Sequence, residues 1–257
     1  MNRSTSIILV LVAIAAVGIG GVFAYENVLR GDSVAPLTLP SGAPSSAASS
    51  DPGGSPATTA NASAATNPSP ATNASSGGIA GTWTVATGEA GYRVRERLAN
   101  LPAESDAVGR TKDVTGNITL SGSGNAISVD AGTITVNTTT IVSNESRRDD
   151  RMRTEGLQTD QYETATFVLT KPVAIPTSAL TGTASDVTLT GDLTLHGVTK
   201  SVSIPAQAQL VNATVSVAGS LSFPLSDFSI TPPNVGGFIL SIADTGALEF
   251  SVSFAKS

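Results

Sequence analysis

The chain has 257 residues, 13% of them charged, with a net charge of −6 and no cysteine. The acidic balance excludes a nucleic-acid partner, which requires a basic stripe. The lack of cysteine excludes disulfides, a thiol nucleophile, cysteine-ligated zinc and an acylated-cysteine anchor.

Residues 7–24, IILVLVAIAAVGIGGVFA, carry no charge. About 20 apolar residues span a bilayer as a helix, so residues 1–30 are expected to form an N-terminal signal anchor, a single transmembrane helix. The VFA before Tyr25 keeps a cleaved signal peptide open as the alternative. Arg3 and Arg30 flank the segment and orient it only weakly. The rest of the chain is expected on the extracytoplasmic side of the cell membrane, or secreted if the segment is cleaved. Residues 31–78 are rich in Ala, Ser, Thr and Pro, hold no aromatic residue, and have Asp32 and Asp51 as their only charges. Such a stretch cannot bury enough apolar surface to offset its ordering entropy, and a disordered linker is expected.

Residues 79–257 are patterned as one globular unit. Alternating apolar and polar residues predict strands at 81–88, 117–120, 132–142, 165–170, 185–195, 201–210, 213–225 and 246–254. GSGN at 122–125 reads as a hairpin turn, and TPPNVGGF at 231–238 as a lid or a connector. Residues 144–162 lack alternation and carry many charges, which predicts a short helical or irregular excursion. Many antiparallel strands with little helix mean an all-β sandwich or barrel.

The sole histidine, His196, lies in GDLTLHGVTKSVSIP. Before it the apolar residues are odd-numbered (Val187, Leu189, Leu193, Leu195); after it they are even-numbered (Val198, Val202, Ile204, Ala206). A two-residue hairpin turn at His196-Gly197 produces this flip. It pairs Leu195 with Val198 and Leu189 with Ile204 on one apolar face. Gly197 supplies the positive φ of the turn, and His196 is expected to be an exposed turn residue. A catalytic triad would need it buried against an acid, and no second His or Cys completes a metal site.

This hairpin resembles the central motif of the YceI-like, polyisoprenoid-binding family. GTWTV resembles the family's opening tryptophan strand, and YRVRERL with AVGRTKDVTGNITL its next two strands. SNESRRDDRMRTEGLQTDQYETATFVL resembles its Arg-Asp segment, although Met152 stands about where the family often has a histidine. The resemblance covers Gly81 to about Lys256. It implies a lipocalin-like antiparallel β-barrel of about eight strands, enclosing an isoprenoid or other long-chain lipid, with no cofactor, metal or catalysis.

On that resemblance the expected lipid-contacting lining is Trp83, Phe167, Val187, Leu189, Leu193, Val202, Ile204 and Phe223. Arg148 and Arg151, in the densest charge cluster, are candidates for an anionic head group at the barrel mouth, since Arg suits phosphate. The same run also reads as a solvated helix face, with an Arg148–Asp149 network pinning the excursion to the barrel. The implied partners are the lipid and, through the N-terminal helix, a membrane; a homodimer stays open. Two other functions compete: a structural or adhesive surface domain with a solid core, and a hydrolase built on scattered acids such as Asp227, Asp244 and Glu249.

Overall fold

In the computed structural model, residues 34–40, 78–99, 104–233 and 239–257 are described. The expected membrane helix and most of the expected linker lie outside them. No helix among the described residues is long and apolar enough to cross a membrane.

Among the described residues, eleven strands form one antiparallel sheet: β1 (Gly81–Leu98), β2 (Glu104–Thr111), β3 (Val114–Ser123), β4 (Ala126–Asn137), β5 (Val142–Ser143), β6 (Thr164–Leu169), β7 (Val173–Ala174), β8 (Ser185–Leu195), β9 (Val198–Val211), β10 (Thr214–Pro224) and β11 (Ile239–Lys256). Three pairs of these are halves of longer strands. β2 and β3 pair with the second and first halves of β1 in one continuing register, Ala90 opposite Thr111 and Thr84 opposite Asn117. β4 passes through a 3-10 turn at Thr138–Thr140 into β5, and β6 and β7 share β4 as neighbour. The ring therefore has eight strand positions in chain order. β11 closes it on β1, from Trp83 opposite Lys256 to Leu98 opposite Ile239. Of the sandwich or barrel that the pattern left open, the chain forms the all-β antiparallel barrel that the family resemblance implied.

The break after Asn137 departs from the alternation, which runs throughout 132–142. Asn137 ends the strand because its side-chain oxygen accepts from the Thr139 N–H at 3.1 Å, offering the backbone a local alternative to the ladder. The excursion that follows is helix α1 (Ser146–Arg151), continued by one π-turn over Met152–Gly156. A short helix α2 (Thr177–Leu180) crosses the opposite end. That end is plugged by an apolar cluster containing Trp83, Leu120, Ile127 and Phe254. A second cluster, with Leu157, Leu195, Phe223, Phe228 and Ile230, gathers beneath α1.

The β8–β9 hairpin has the expected register, Leu195 opposite Val198, Leu189 opposite Ile204 and Val187 opposite Ala206. Both turn residues have positive φ, 51° at His196 and 73° at Gly197, as a type I′ turn demands. His196, however, is not exposed. It is 9% accessible, its Nδ1 is 3.0 Å from the Phe228 carbonyl, and its ring packs edge-on against Tyr162 at 4.5 Å. The carbonyl can only accept, so Nδ1 carries the proton. Alternation along a hairpin does not reveal that other loops fold over its tip.

The loop that reaches the tip fills a split in the barrel. The β9–β10 ladder stops at Ala206 opposite Gly219, and the next residue of β9 is Pro205, which has no N–H to donate. Beyond it, among the described residues, Val198–Pro205 pair only with β8 and Ser220–Pro224 only with β11. A 3-10 turn, Leu225–Phe228, occupies the gap. His196 holds it through Phe228, and Lys200 holds it through Asp227 at 2.8 Å.

Val34–Pro40, within the stretch expected as linker, lie along the outer wall. The Arg93 guanidinium donates to the Val34 carbonyl at 2.7 Å, Ser251 Oγ to the Thr38 carbonyl at 2.9 Å and the Gln209 amide to the Pro40 carbonyl at 3.0 Å. Arg110 donates to the Ala35 carbonyl. The strap thus spans strands β1, β2, β9 and β11, across the seam where the barrel closes.

Two substitutions test the hairpin tip. His196→Ala strands the buried Phe228 carbonyl and should cost about 1–3 kcal/mol, roughly 3–10 °C in Tm. Gly197→Val imposes a β-branched residue on positive φ and drives its Cβ to 2.6 Å from the Tyr162 ring, so it should cost at least as much. Thermal melts read both, and an unchanged Tm for His196→Ala would contradict the buried placement.

Candidate functional site: a hollow apolar interior

A closed barrel turns one residue in two inward on every strand. Here many inward positions carry small side chains, among them Ala90, Gly132, Ala208 and Ala247, and these leave a cavity of about 690 Å³. Its wall is apolar and drawn from the whole ring: Ile118 of β3, Ile134 of β4, Phe167 of β6, Leu189 of β8, Ile204 of β9 and Val252 of β11. Polar groups converge only toward one end, where Tyr92, Glu96 and Arg148 face the cavity beneath α1 and Arg147 and Arg151 flank it.

Six of the eight residues expected to line the interior do so: Phe167, Val187, Leu189, Leu193, Ile204 and Phe223. Trp83 and Val202 do not. Trp83 belongs to the plug of the far end, its indole N–H donating to the Ile79 carbonyl at 2.9 Å. Val202 lies in the split strand half beyond Pro205 and packs with the cluster around Phe228. His196 is not part of the cavity wall, and among the described residues no group of three or more His, Cys, Asp or Glu could hold a metal ion.

Arg148 and Arg151 both stand at the cavity, but Arg148 is no solvated surface charge. Its Nη2 meets Glu96 Oε1 at 2.6 Å, with Glu96 3% and Arg148 18% accessible, and its Nη1 donates to Asn144 Oδ1 at 2.8 Å. Asp149 is also buried, but it accepts from the Ser143 N–H at 2.9 Å. Both residues fasten α1, each to a different partner rather than to each other. Glu96 is absent from the expected site, although the sequence carries its signal. In YRVRERL the even positions Tyr92, Val94, Glu96 and Leu98 face one way and the three arginines the other, so Glu96 is an acid on the apolar parity. On the outer parity, Arg93 pairs with Glu249 at 2.5 Å and with Asp106 at 3.0 Å, and Arg110 meets Glu249 at 3.2 Å. Glu249 is thus committed to an ion network on the wall under the strap.

A meander barrel with an unfilled apolar interior and a polar mouth places the molecule among the small hollow β-barrels. The YceI-like domain profile matches residues 83–254, two thirds of the chain, and the protein belongs to that family. Protein YceI of Escherichia coli is 35% identical over 100 residues, covering 38% of this chain and 47% of its own. The Shigella flexneri protein of that name is 34% identical over the same extent. The chain spans about half the length of these curated relatives. In fold it is similar to a polyisoprenoid binding domain from Saccharophagus degradans implicated in plant cell wall breakdown, with a TM-score of 0.52 at 16% identity over 68% of this chain and 98% of that one.

Removing one partner of the inner ion pair discriminates its burial from a surface role. Glu96→Ala leaves the Arg148 charge unmatched; given the partial exposure of Arg148 it should cost about 2–3 kcal/mol, below the ~3–5 of a fully buried pair. Urea unfolding measures this, and a change within about 0.5 kcal/mol would return the pair to the surface class.

Proposed function

We propose that the protein is a membrane-tethered, extracytoplasmic carrier of a polyisoprenoid or other long-chain apolar lipid, held inside the barrel and not chemically changed there. The observation that carries this reading is the cavity of about 690 Å³ with an almost wholly apolar wall. An apolar chain in a space of that size gains dispersion contacts with its wall and removes its own surface from water at about 25 cal/mol per Å². The structurally similar Saccharophagus degradans domain is a polyisoprenoid binding domain, which supports the same choice of ligand. Phe167, Val187, Leu189, Leu193, Ile204 and Phe223 touch the chain in this reading, and Arg148 and Arg151 stand where its head group lies.

The tether is part of the proposal. With residues 7–24 across a bilayer and Val34–Pro40 on the wall, the nine residues 25–33 join the two. Fully extended they reach about 30 Å, which keeps the barrel beside the membrane from which an apolar ligand is taken.

Ile204→Trp tests the carrier reading with two readouts. It should fill ligand space, lowering the lipid recovered by organic extraction and mass spectrometry at little cost in stability. A tightly packed interior would instead lose about 1–3 kcal/mol to overpacking. Lost stability, with no lipid recovered from either protein, would remove the carrier and leave a structural module.

A further inference from the structure

The polar end of the cavity says more about the ligand than its apolar wall. Tyr92 points inward from β1 and is 7% accessible. Its ring lies against Gly109 of β2, where even a Cβ would come within 2.4 Å of it, and Ile141 stands beside the same glycine. The ring is therefore held in place. Yet the Tyr92 hydroxyl is buried and has no hydrogen-bond partner among the described residues, and the same is true of Arg148 Nε. Buried polar atoms without partners are rare in folded proteins, and each calls for an explanation such as a bound group. Two unmet donors at one end of a cavity otherwise walled by carbon point to an acceptor that arrives with the ligand.

The charges at this end decide what kind of acceptor. Arg148 is cationic, but Glu96 sits against it at 2.6 Å. The charged groups in the cavity lining are Arg147, Arg148 and Arg151 on one side and Glu96, Glu145 and Glu249 on the other, so they balance three to three. A phosphate or diphosphate would enter a lining of no net charge, whose Arg148 is already paired, and would meet the Glu96 carboxylate. It would also lose its hydration in an apolar chamber, which is expensive for a charge without a dedicated partner. A neutral oxygen escapes both penalties. Burial pushes the ionisation of Tyr92 above its ordinary range, so the phenol keeps the proton it would donate.

We propose that Tyr92, together with Arg148 Nε at the same end of the cavity, forms a subsite for an uncharged oxygen-bearing head group, a hydroxyl, carbonyl or ether at the end of the apolar chain, and that the site discriminates against the phosphorylated form of the same chain. This rests on the carrier reading above and adds the head-group class.

Three ligands of one chain length separate the outcomes: geranylgeraniol, geranylgeranyl diphosphate, and the corresponding hydrocarbon without oxygen. Equilibrium binding of each to the full chain in detergent, as wild type and as Tyr92→Phe, reads the site. The alcohol should bind at least ten-fold more tightly than the diphosphate. Tyr92→Phe should weaken the alcohol about three- to ten-fold, the worth of one net hydrogen bond, and leave the hydrocarbon unchanged. The ring remains in the variant, so the fold is preserved. Diphosphate binding as tight as the alcohol, or a Tyr92→Phe effect that is nil or equal on alcohol and hydrocarbon, would overturn the subsite while the carrier reading stands. Failure of all three ligands to bind would overturn both.

Discussion

Closure of the sheet is the constraint on which the rest of the structure depends. Once β11 pairs with β1, the inward residues of eight strand positions compete for one interior of fixed girth. Whether that interior is solid or hollow is then a matter of side-chain volume alone. With 4% aromatic residues and Ala or Gly at several inward positions, the chain does not fill it. The bulkiest side chains of the interior gather near its ends: Trp83 and Phe254 at one, Phe223 and Phe228 at the other. The cavity between them is lined mostly by Val, Ile, Leu and Ala, with Phe167 and Phe250 among them. A low aromatic content, which looks like a weak core when read from composition, is here the cause of the cavity.

The same ring is interrupted at one place, and the interruption explains the hairpin motif. Pro205 ends the β9–β10 ladder, and the Leu225–Phe228 turn fills the opening. His196 and Lys200, four residues apart across the tip of LHGVTK, both reach this turn. The exposed Lys200–Asp227 pair contributes little, as surface ion pairs do. The buried His196 contact contributes more. The histidine that invites a catalytic interpretation serves instead to hold a plug against the barrel wall, with Tyr162 over its ring.

Much of this is legible in the sequence. The parity flip across His196-Gly197 yields the hairpin register residue by residue, alternation over β8, β9, β10 and β11 yields antiparallel strands with one apolar face, and the family resemblance decides for a barrel over a sandwich. What alternation cannot supply is anything that depends on a second, distant segment. His196 reads as exposed because Tyr162 and Phe228 are 34 and 32 positions away. Val202 reads as cavity lining because a proline three residues on, while visible, does not say which of its two neighbours it will release. Val34–Pro40 read as linker because their contacts are made by backbone carbonyls, which leave no trace in composition. Arg148 looks like one charge among many in a solvated run, and only its place at the cavity and its pairing with Glu96 of β1 show where it belongs.

A hollow, apolar interior open to one ligand is most directly tested with 1,6-diphenylhexatriene, an uncharged rod that fluoresces only when removed from water. The purified, delipidated protein is titrated with it. A hollow barrel predicts saturable enhancement with one equivalent bound per chain, reversed by an added prenyl alcohol. Absence of enhancement, or a rise that neither saturates nor reverses, would mean that the interior admits no chain.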